Sequence, residues 1–260
     1  MAQPMQSSLL TLAVLEAVGE RQPIGVADLA RVLERPKSTA QRALVTLYQA
    51  GWVRPDGSDR TRWVLTGRVL SVARHVANQG GLRDLARLPL EQLQAATGES
   101  VTLCIREGDE TVTADFLEGT HSVRFVAPVG VRTPLHAGAA GKVVLAYLGD
   151  ADQQAVLDGE LIAVTEQTIT SRTALAAELA DIRANGFALS RGEAADYACG
   201  VAAPVLGSDG TALASIAVTA PLSRLTGEDR LVAVARLVVD TAARLTADLN
   251  RGAMPAGGTR

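Results

Sequence analysis

Aromatic residues are scarce in this chain. Phe, Trp and Tyr together make up 3% of its 260 residues, so a core has to be assembled from Ala, Val and Leu. No apolar run reaches the ~18 residues that a membrane-spanning helix needs, so no span is expected. Only two cysteines occur, Cys104 and Cys199. That is too few for a disulfide framework and agrees with a reducing cytoplasm. The three histidines, His75, His121 and His136, are scattered and the cysteines are distant, so neither a metal site nor a cofactor is expected. The opening "MAQPMQSSLLTLAVLEAVGE" has no basic stretch and carries acids where a cleavage site would lie, so no secretory signal is expected.

What is present is a cored composition, with 47% hydrophobic and 20% charged residues. The length suits two domains. Net charge is −3, but it is unevenly spread. Residues 1–80 hold ten Lys or Arg against six Asp or Glu, and the remainder is acidic. A basic head on an acidic body implies that the head meets a polyanion, although a surplus of four is modest.

Apolar spacing at Leu9, Leu10, Ala13, Val14 and Ala17 predicts a first helix, with Ser7 or Ser8 as cap and Gly19 as its end. Val26 to Leu33 predicts a second, with Gly25 at the cap and Asp28 placed to reach back to free amides. After the break Glu34-Arg35-Pro36, Lys37 to Gln49 predicts a third, with Pro36 suited to its first turn. Trp52-Val53-Arg54 and Arg62-Trp63-Val64-Leu65, around "PDGSDRT", read as a hairpin. Three short helices and a hairpin outline a winged helix-turn-helix over 1–66. Residues 67–80 form a linking helix closed by a glycine pair.

The remainder, 81–250, predicts an α+β domain with an antiparallel or mixed sheet. Strands are expected at "SVTLCIRE", "ETVTADFLEG", "SVRFVAPVG", "VAAPVLG" and "TALASIAVTAP". Helices are expected over 82–96, 138–148, 150–157 and 173–184, and from a Thr226 capping pattern to about Asn250, covering one face. The tail 251–260 is expected to be disordered.

On a helical wheel of the third helix, Ala40, Ala43, Leu44 and Leu47 fall together as a core face. Lys37, Ser38, Thr39, Gln41, Arg42 and Thr46 spread over the outward arc, with Val45 among them. No acid occurs between Glu34 and Asp56, whereas a solvated helix face usually mixes Glu with Lys. Short hydrogen-bonding side chains with Lys and Arg suit base edges and phosphates in a DNA major groove, and the Val45 methyls suit a thymine methyl. Arg54, Arg60 and Arg62 on the hairpin extend the basic surface. The bland alternative is a three-helix packing module with a solvated polar face.

These segments resemble IclR-family transcriptional regulators. "DLARVLERPKSTAQRALVTLYQAGWV" is similar to that family's helix-turn-helix. "PLHAGAAGKVVLAYL" and "VAAPVLGSDGTALASIAVTAPLSRLT" are similar to two segments of its second domain, so the likeness spans about 8–250. The resemblance implies a GAF-like effector-binding domain, a dimer or dimer of dimers, and a palindromic double-stranded DNA operator. It also implies a cavity for a small organic acid, with candidates Phe125, Ala139, Ala140, Ser190, Cys199, Gly200, Ala217 and Thr219. Repression is the expected sign of regulation. Small residues there equally suit tight helix–sheet packing. Two departures are visible. Tyr197-Ala198 stands where the family often has Gly-Val, so Tyr197 is placed to cover or narrow the cavity. Ala217 stands where a hydroxyl is common.

Enzymatic readings are weaker. "AGAAGKV" fails the phosphate-loop pattern, because His136 and Val143 occupy the positions that need Gly and Ser or Thr. Lys142 is then a surface residue or the partner of an acid. A Cys199–His136 pair is conceivable, with nothing to order it as nucleophile and base. The runner-up is a small-molecule-binding or hydrolytic protein whose helical head makes protein contacts.

Overall fold

A computed structural model describes residues 3–58, 61–77 and 81–252. The chain divides into two compact units, residues 1–79 and 80–260.

The first unit contains α1 (Gln6–Arg21), β1 (Ile24–Gly25), α2 (Val26–Val32), α3 (Lys37–Gln49), β2 (Val53–Pro55), β3 (Arg62–Leu65) and α4 (Arg68–Ala77). Its core joins Val14 and Val18 of α1, Leu29 of α2, Ala40, Leu44 and Leu47 of α3, and Val53 and Trp63 of the sheet. With so few aromatics, Trp63 carries much of that contact, and Tyr48 meets its ring edge-on at 5.8 Å. The turn between α2 and α3 passes through Glu34 at φ 51°, and the Arg35 amide closes it on the Ala30 carbonyl. Pro36 follows, and its carbonyl accepts the Thr39 and Ala40 amides.

Four local expectations change here. Helix α1 starts at Gln6 after an extended Met5, so Ser7 and Ser8 lie inside it. The helix also runs through Gly19, where a Cβ would meet Leu65 Cδ1 at 3.4 Å. Asp28 does not reach back to cap α2; it pairs with Arg31 at 3.0 Å. The hairpin gains a third strand, because Ile24 and Gly25 pair with Trp63 and Arg62. A strand of two residues is too short to show any period.

The second unit contains α5 (Leu82–Thr97), β4 (Ser100–Glu107), β5 (Glu110–Leu117), β6 (Arg132–Pro134), α6 (Gly138–Ala146), α7 (Asp150–Asp158), α8 (Arg172–Asn185), β7 (Ala188–Arg191), β8 (Ala198–Leu206), β9 (Ala212–Pro221) and α9 (Glu228–Gly252). The strands form one sheet, ordered β6-β5-β4-β9-β8-β7, with every neighbouring pair antiparallel. Helices cover both faces rather than one. Cys199, Val201, Ala203 and Val205 of β8 pack with Leu90 of α5 and Val238 of α9. Ala202 packs the other way, against Val143 of α6 and Leu179 of α8. The unbroken apolar run of β8 reflects this two-sided burial.

No strand forms over 122–130. Pro128 and Gly130, at φ 93°, interrupt the β-prone run. Only Arg132–Pro134 joins the sheet edge, against Glu110–Val112. The loop is instead pinned at Phe125, whose carbonyl accepts the Ser100 hydroxyl at 2.6 Å. Helix α9 starts at Glu228, while the Thr226 hydroxyl bonds the Ser223 carbonyl rather than capping it. Residues 253–260 of the expected tail lie outside the described residues.

Helix α6 is anchored through Lys142, only 1% exposed. All three ammonium protons are used: on Glu178 at 2.8 Å, on Glu193 at 2.7 Å and on the Leu189 carbonyl at 2.9 Å. One side chain therefore ties α6 to α8, to β7 and to the loop after β7. Burial pushes the Glu193 carboxyl up, and Lys142 opposes that rise. Lys142→Met removes the opposition and leaves Glu193 buried beside Glu178. We expect a loss of roughly 3–5 kcal/mol in urea unfolding at neutral pH. A carboxyl raised on folding favours the folded state below its unfolded value, and that benefit is lost as pH rises through the folded value. The deficit against the parent should therefore shrink when pH is lowered towards about 4.3, the ordinary glutamate value. An equal deficit at both pH values would contradict this account of Glu193.

Candidate functional site

In the first unit, α3 buries Ala40, Ala43, Leu44 and Leu47 and turns its other side outward. Lys37, Ser38, Gln41, Arg42 and Thr46 are exposed, Thr39 is half-buried, and Val45 is 40% exposed. Thr46 donates its hydroxyl proton to the Arg42 carbonyl, so outward it offers only an acceptor. Among the described residues, neither Lys37 nor Arg42 forms an ion pair. Arg54 and Arg62 on the hairpin are exposed as well. The one described acid on its turn, Asp56, is folded onto its own loop by the Ser58 amide and hydroxyl. Those two bonds, with Arg62 nearby, hold its carboxyl below the usual range. Arg60 lies outside the described residues.

In the second unit, a cavity of about 150 Å³ opens between the sheet and α6. Its floor takes Thr102 and Cys104 from β4, Thr111 and Thr113 from β5, Ala217 and Thr219 from β9, Gly200 from β8 and Ser190 from β7. The wall is the start of α6, through Ala139 and Ala140, and the loop at Phe125, Val126 and Ala127 covers it. No lining side chain is charged. The first amides of α6 have no helical acceptor; that of Gly138 donates to the buried Glu193 carboxylate, and those of Ala139 and Ala140 are left to supply positive potential at the wall. Gly138 enters that helix at φ 81° with its Cβ position 3.0 Å from Ala194, which leaves room only for glycine.

Seven of the eight cavity candidates thus line one cavity. Cys199 does not. Neighbouring residues on a strand face opposite ways, so with Gly200 on the cavity floor, Cys199 packs among Val201 and Val218 beneath α5 and α9. Burial raises its thiol. Tyr197 is 56% exposed and meets Phe125 at 6.3 Å between ring centres; it touches the cover rather than lining the cavity. Sequence reasoning missed Thr102, Cys104, Thr111 and Thr113. Their signal was present as alternation in "SVTLCIRE" and "ETVTADFLEG", which sets Thr102 with Cys104 and Thr111 with Thr113 on one face of each strand.

The enzymatic constellations do not assemble. His136 is buried and its Nε2 lies 2.9 Å from the Ile162 carbonyl, on the opposite side of the sheet from Cys199. Lys142 is the buried partner of two acids rather than a phosphate-loop lysine. Among the described residues, no group of three or more His, Cys, Asp or Glu could hold a metal ion, and no helix is long and apolar enough to cross a membrane.

Two family models match the chain: the IclR helix-turn-helix domain over residues 11–57 and the bacterial transcriptional regulator IclR C-terminal domain over 74–247. The HTH-type transcriptional repressor AllR of Escherichia coli K12 is 31% identical over 255 residues, covering 98% of this chain and 93% of its own. A crystal structure of a transcriptional regulator from Rhodococcus sp. RHA1 superposes with a TM-score of 0.79 at 28% identity, over 95% of this chain and 98% of the other. An IclR homologue from Microbacterium hydrocarbonoxydans, solved with 4-hydroxybenzoate, has a TM-score of 0.79 at 24% identity, over 95% of this chain and all of its own, and so shares the fold. With helix-turn-helix and C-terminal domain both matched in order, the chain belongs to the IclR family of bacterial transcriptional regulators.

Proposed function

We propose that this chain is a cytoplasmic, ligand-responsive repressor that binds a palindromic double-stranded operator as a dimer or dimer of dimers and releases it on binding a small organic acid. The observation that carries the reading is an α3 face that is exposed, basic and free of acids. Ser38, Gln41 and Val45 would read base edges and methyls, with Thr39 and Thr46 beside them. Lys37, Arg42, Arg54, Arg60 and Arg62 would contact phosphates.

In the second unit, a carboxylate would accept the Ala139 and Ala140 amides. Phe125, Ser190, Gly200, Ala217 and Thr219 would surround the rest of the ligand. The uncharged lining supports this, because a helix N-terminus, equivalent to about half a positive charge, favours a single anion there. The repressor name of AllR supports the sign of regulation, and the 4-hydroxybenzoate in the Microbacterium homologue supports an organic-acid class.

A salt titration tests the DNA half. The chain should bind its own upstream DNA with a steep negative slope of log affinity against log salt. Arg42→Ala should reduce that slope by about one unit across all sequences. Equal, salt-independent binding to upstream and random DNA would overturn the reading.

Switching requires the ligand to prefer one state of the protein over another. Helix α4 is the segment through which the chain leaves the DNA-binding unit, so it is the proposed conduit. Inserting two glycines beside Ala73 should leave ligand binding intact and abolish ligand-driven DNA release. Release that survives the insertion would exclude α4 from the coupling.

A further inference from the structure

The cavity floor is not uniform. Under α6, β8 and β9 present Gly200 and Ala217, and α6 sits close to them: the Ala139 Cβ lies 3.6 Å from where a Cβ on Gly200 would be, and the Ala140 carbonyl accepts the Ser215 hydroxyl at 3.0 Å. Two strands away from β8 the floor changes character. Thr102 and Cys104 on β4 and Thr111 and Thr113 on β5 all face the cavity and are 2–6% exposed. Cys104 and Thr113 are direct cross-strand partners, brought opposite each other by a register shift between Leu103 and Cys104. Bulges of this kind re-aim side chains and are frequent beside functional sites.

These hydroxyls are poorly satisfied. Thr102 and Thr113 both turn towards the Cys104 sulfur, a weak donor and a weak acceptor. Among the described residues neither hydroxyl has a nitrogen or oxygen partner. Thr111 donates to the Thr133 carbonyl only at 3.4 Å. Buried hydroxyls without good partners are costly, and here they open on a cavity rather than on packed carbon. Burial keeps Cys104 a neutral thiol.

We propose that Thr102, Cys104 and Thr113 form a second subsite of this cavity, which takes an uncharged hydrogen-bonding group of the ligand and rejects a second carboxylate. The inference rests on the organic-acid reading of the cavity. The Gly138 amide is taken by the Glu193 carboxylate, so the next amides of α6, those of Ala139 and Ala140, serve one carboxylate on the β8–β9 side. On the β4–β5 side no cation stands ready to offset another charge, whereas a hydroxyl, carbonyl or amide meets two hydroxyls of flexible donor direction. The volume, about 150 Å³, suits a six-membered ring or a short carbon chain between the two ends.

Matched probes test this on the full chain by calorimetry and thermal shift: benzoate, 4-hydroxybenzoate and terephthalate as a ring series, and butyrate, 4-hydroxybutyrate and succinate as a chain series. In the series that fits, the hydroxylated acid should bind about tenfold more tightly than the plain acid, and the diacid at least tenfold more weakly than it. In the double variant Thr102→Val, Thr113→Val the hydroxylated acid should bind no more tightly than the plain acid, so that the tenfold ratio between them falls to about one. A plain acid that binds with no gain from the hydroxyl, or a diacid that binds as well as the monoacid, overturns the subsite alone. A variant that weakens plain and hydroxylated acids equally does the same. Failure of all six probes to bind at millimolar concentration overturns the organic-acid reading and the subsite with it.

Discussion

A single buried ammonium organises the second unit. Lys142 is enclosed, and its three protons reach a helix, a strand and a loop through Glu178, the Leu189 carbonyl and Glu193. Two acids with one base leave the cluster short of positive charge, which is why burial still raises the Glu193 carboxyl. The arrangement fixes where α6 begins. Gly141 completes it: a Cβ there would lie 2.6 Å from the Leu135 carbonyl, so α6 rests directly on the backbone of the segment before it. The first turn of α6 lines the cavity because the helix is held in that place from behind.

The two units divide the electrostatic work. The first presents exposed cations, with the described hairpin acid, Asp56, folded onto Ser58. The second leaves its cavity lining uncharged and holds buried charge in the Lys142 cluster, where Glu193 also accepts the Gly138 amide, and in the pairing of buried Glu99 with Arg224 at 2.8 Å. A pocket walled by neutral groups discriminates through hydrogen bonds and shape, and one helix N-terminus adds positive potential at its wall. A polyanion on one unit and a small monoanion in the other are what this distribution favours.

Much of this was legible in the sequence. The α3 wheel, the Pro36 entry and the missing acids marked the exposed basic face, and β4 runs over the segment expected as a strand. The two-residue β1 and the four-residue β7 were not legible, because such short strands carry no period. The loop over 122–130 has strand composition, yet Pro128 and Gly130 keep it out of the sheet. Helices on both faces were implied by the apolar run of β8, which a one-sided sheet does not need. Cys199 was assigned to the cavity by likeness of segments, and its neighbour Gly200 faces the floor instead. The polar face of β4 and β5 was visible, but the covering loop that buries it was not.

The central claim is that a ligand carboxylate docks on the α6 amides. Its most direct test is to follow the backbone amide resonances of the isotopically labelled chain while titrating an organic acid that raises its melting temperature. The account predicts that the Ala139 and Ala140 amides shift most, downfield, and saturate together with the thermal stabilisation. Stabilisation that leaves both amides unmoved while other amides shift would contradict it.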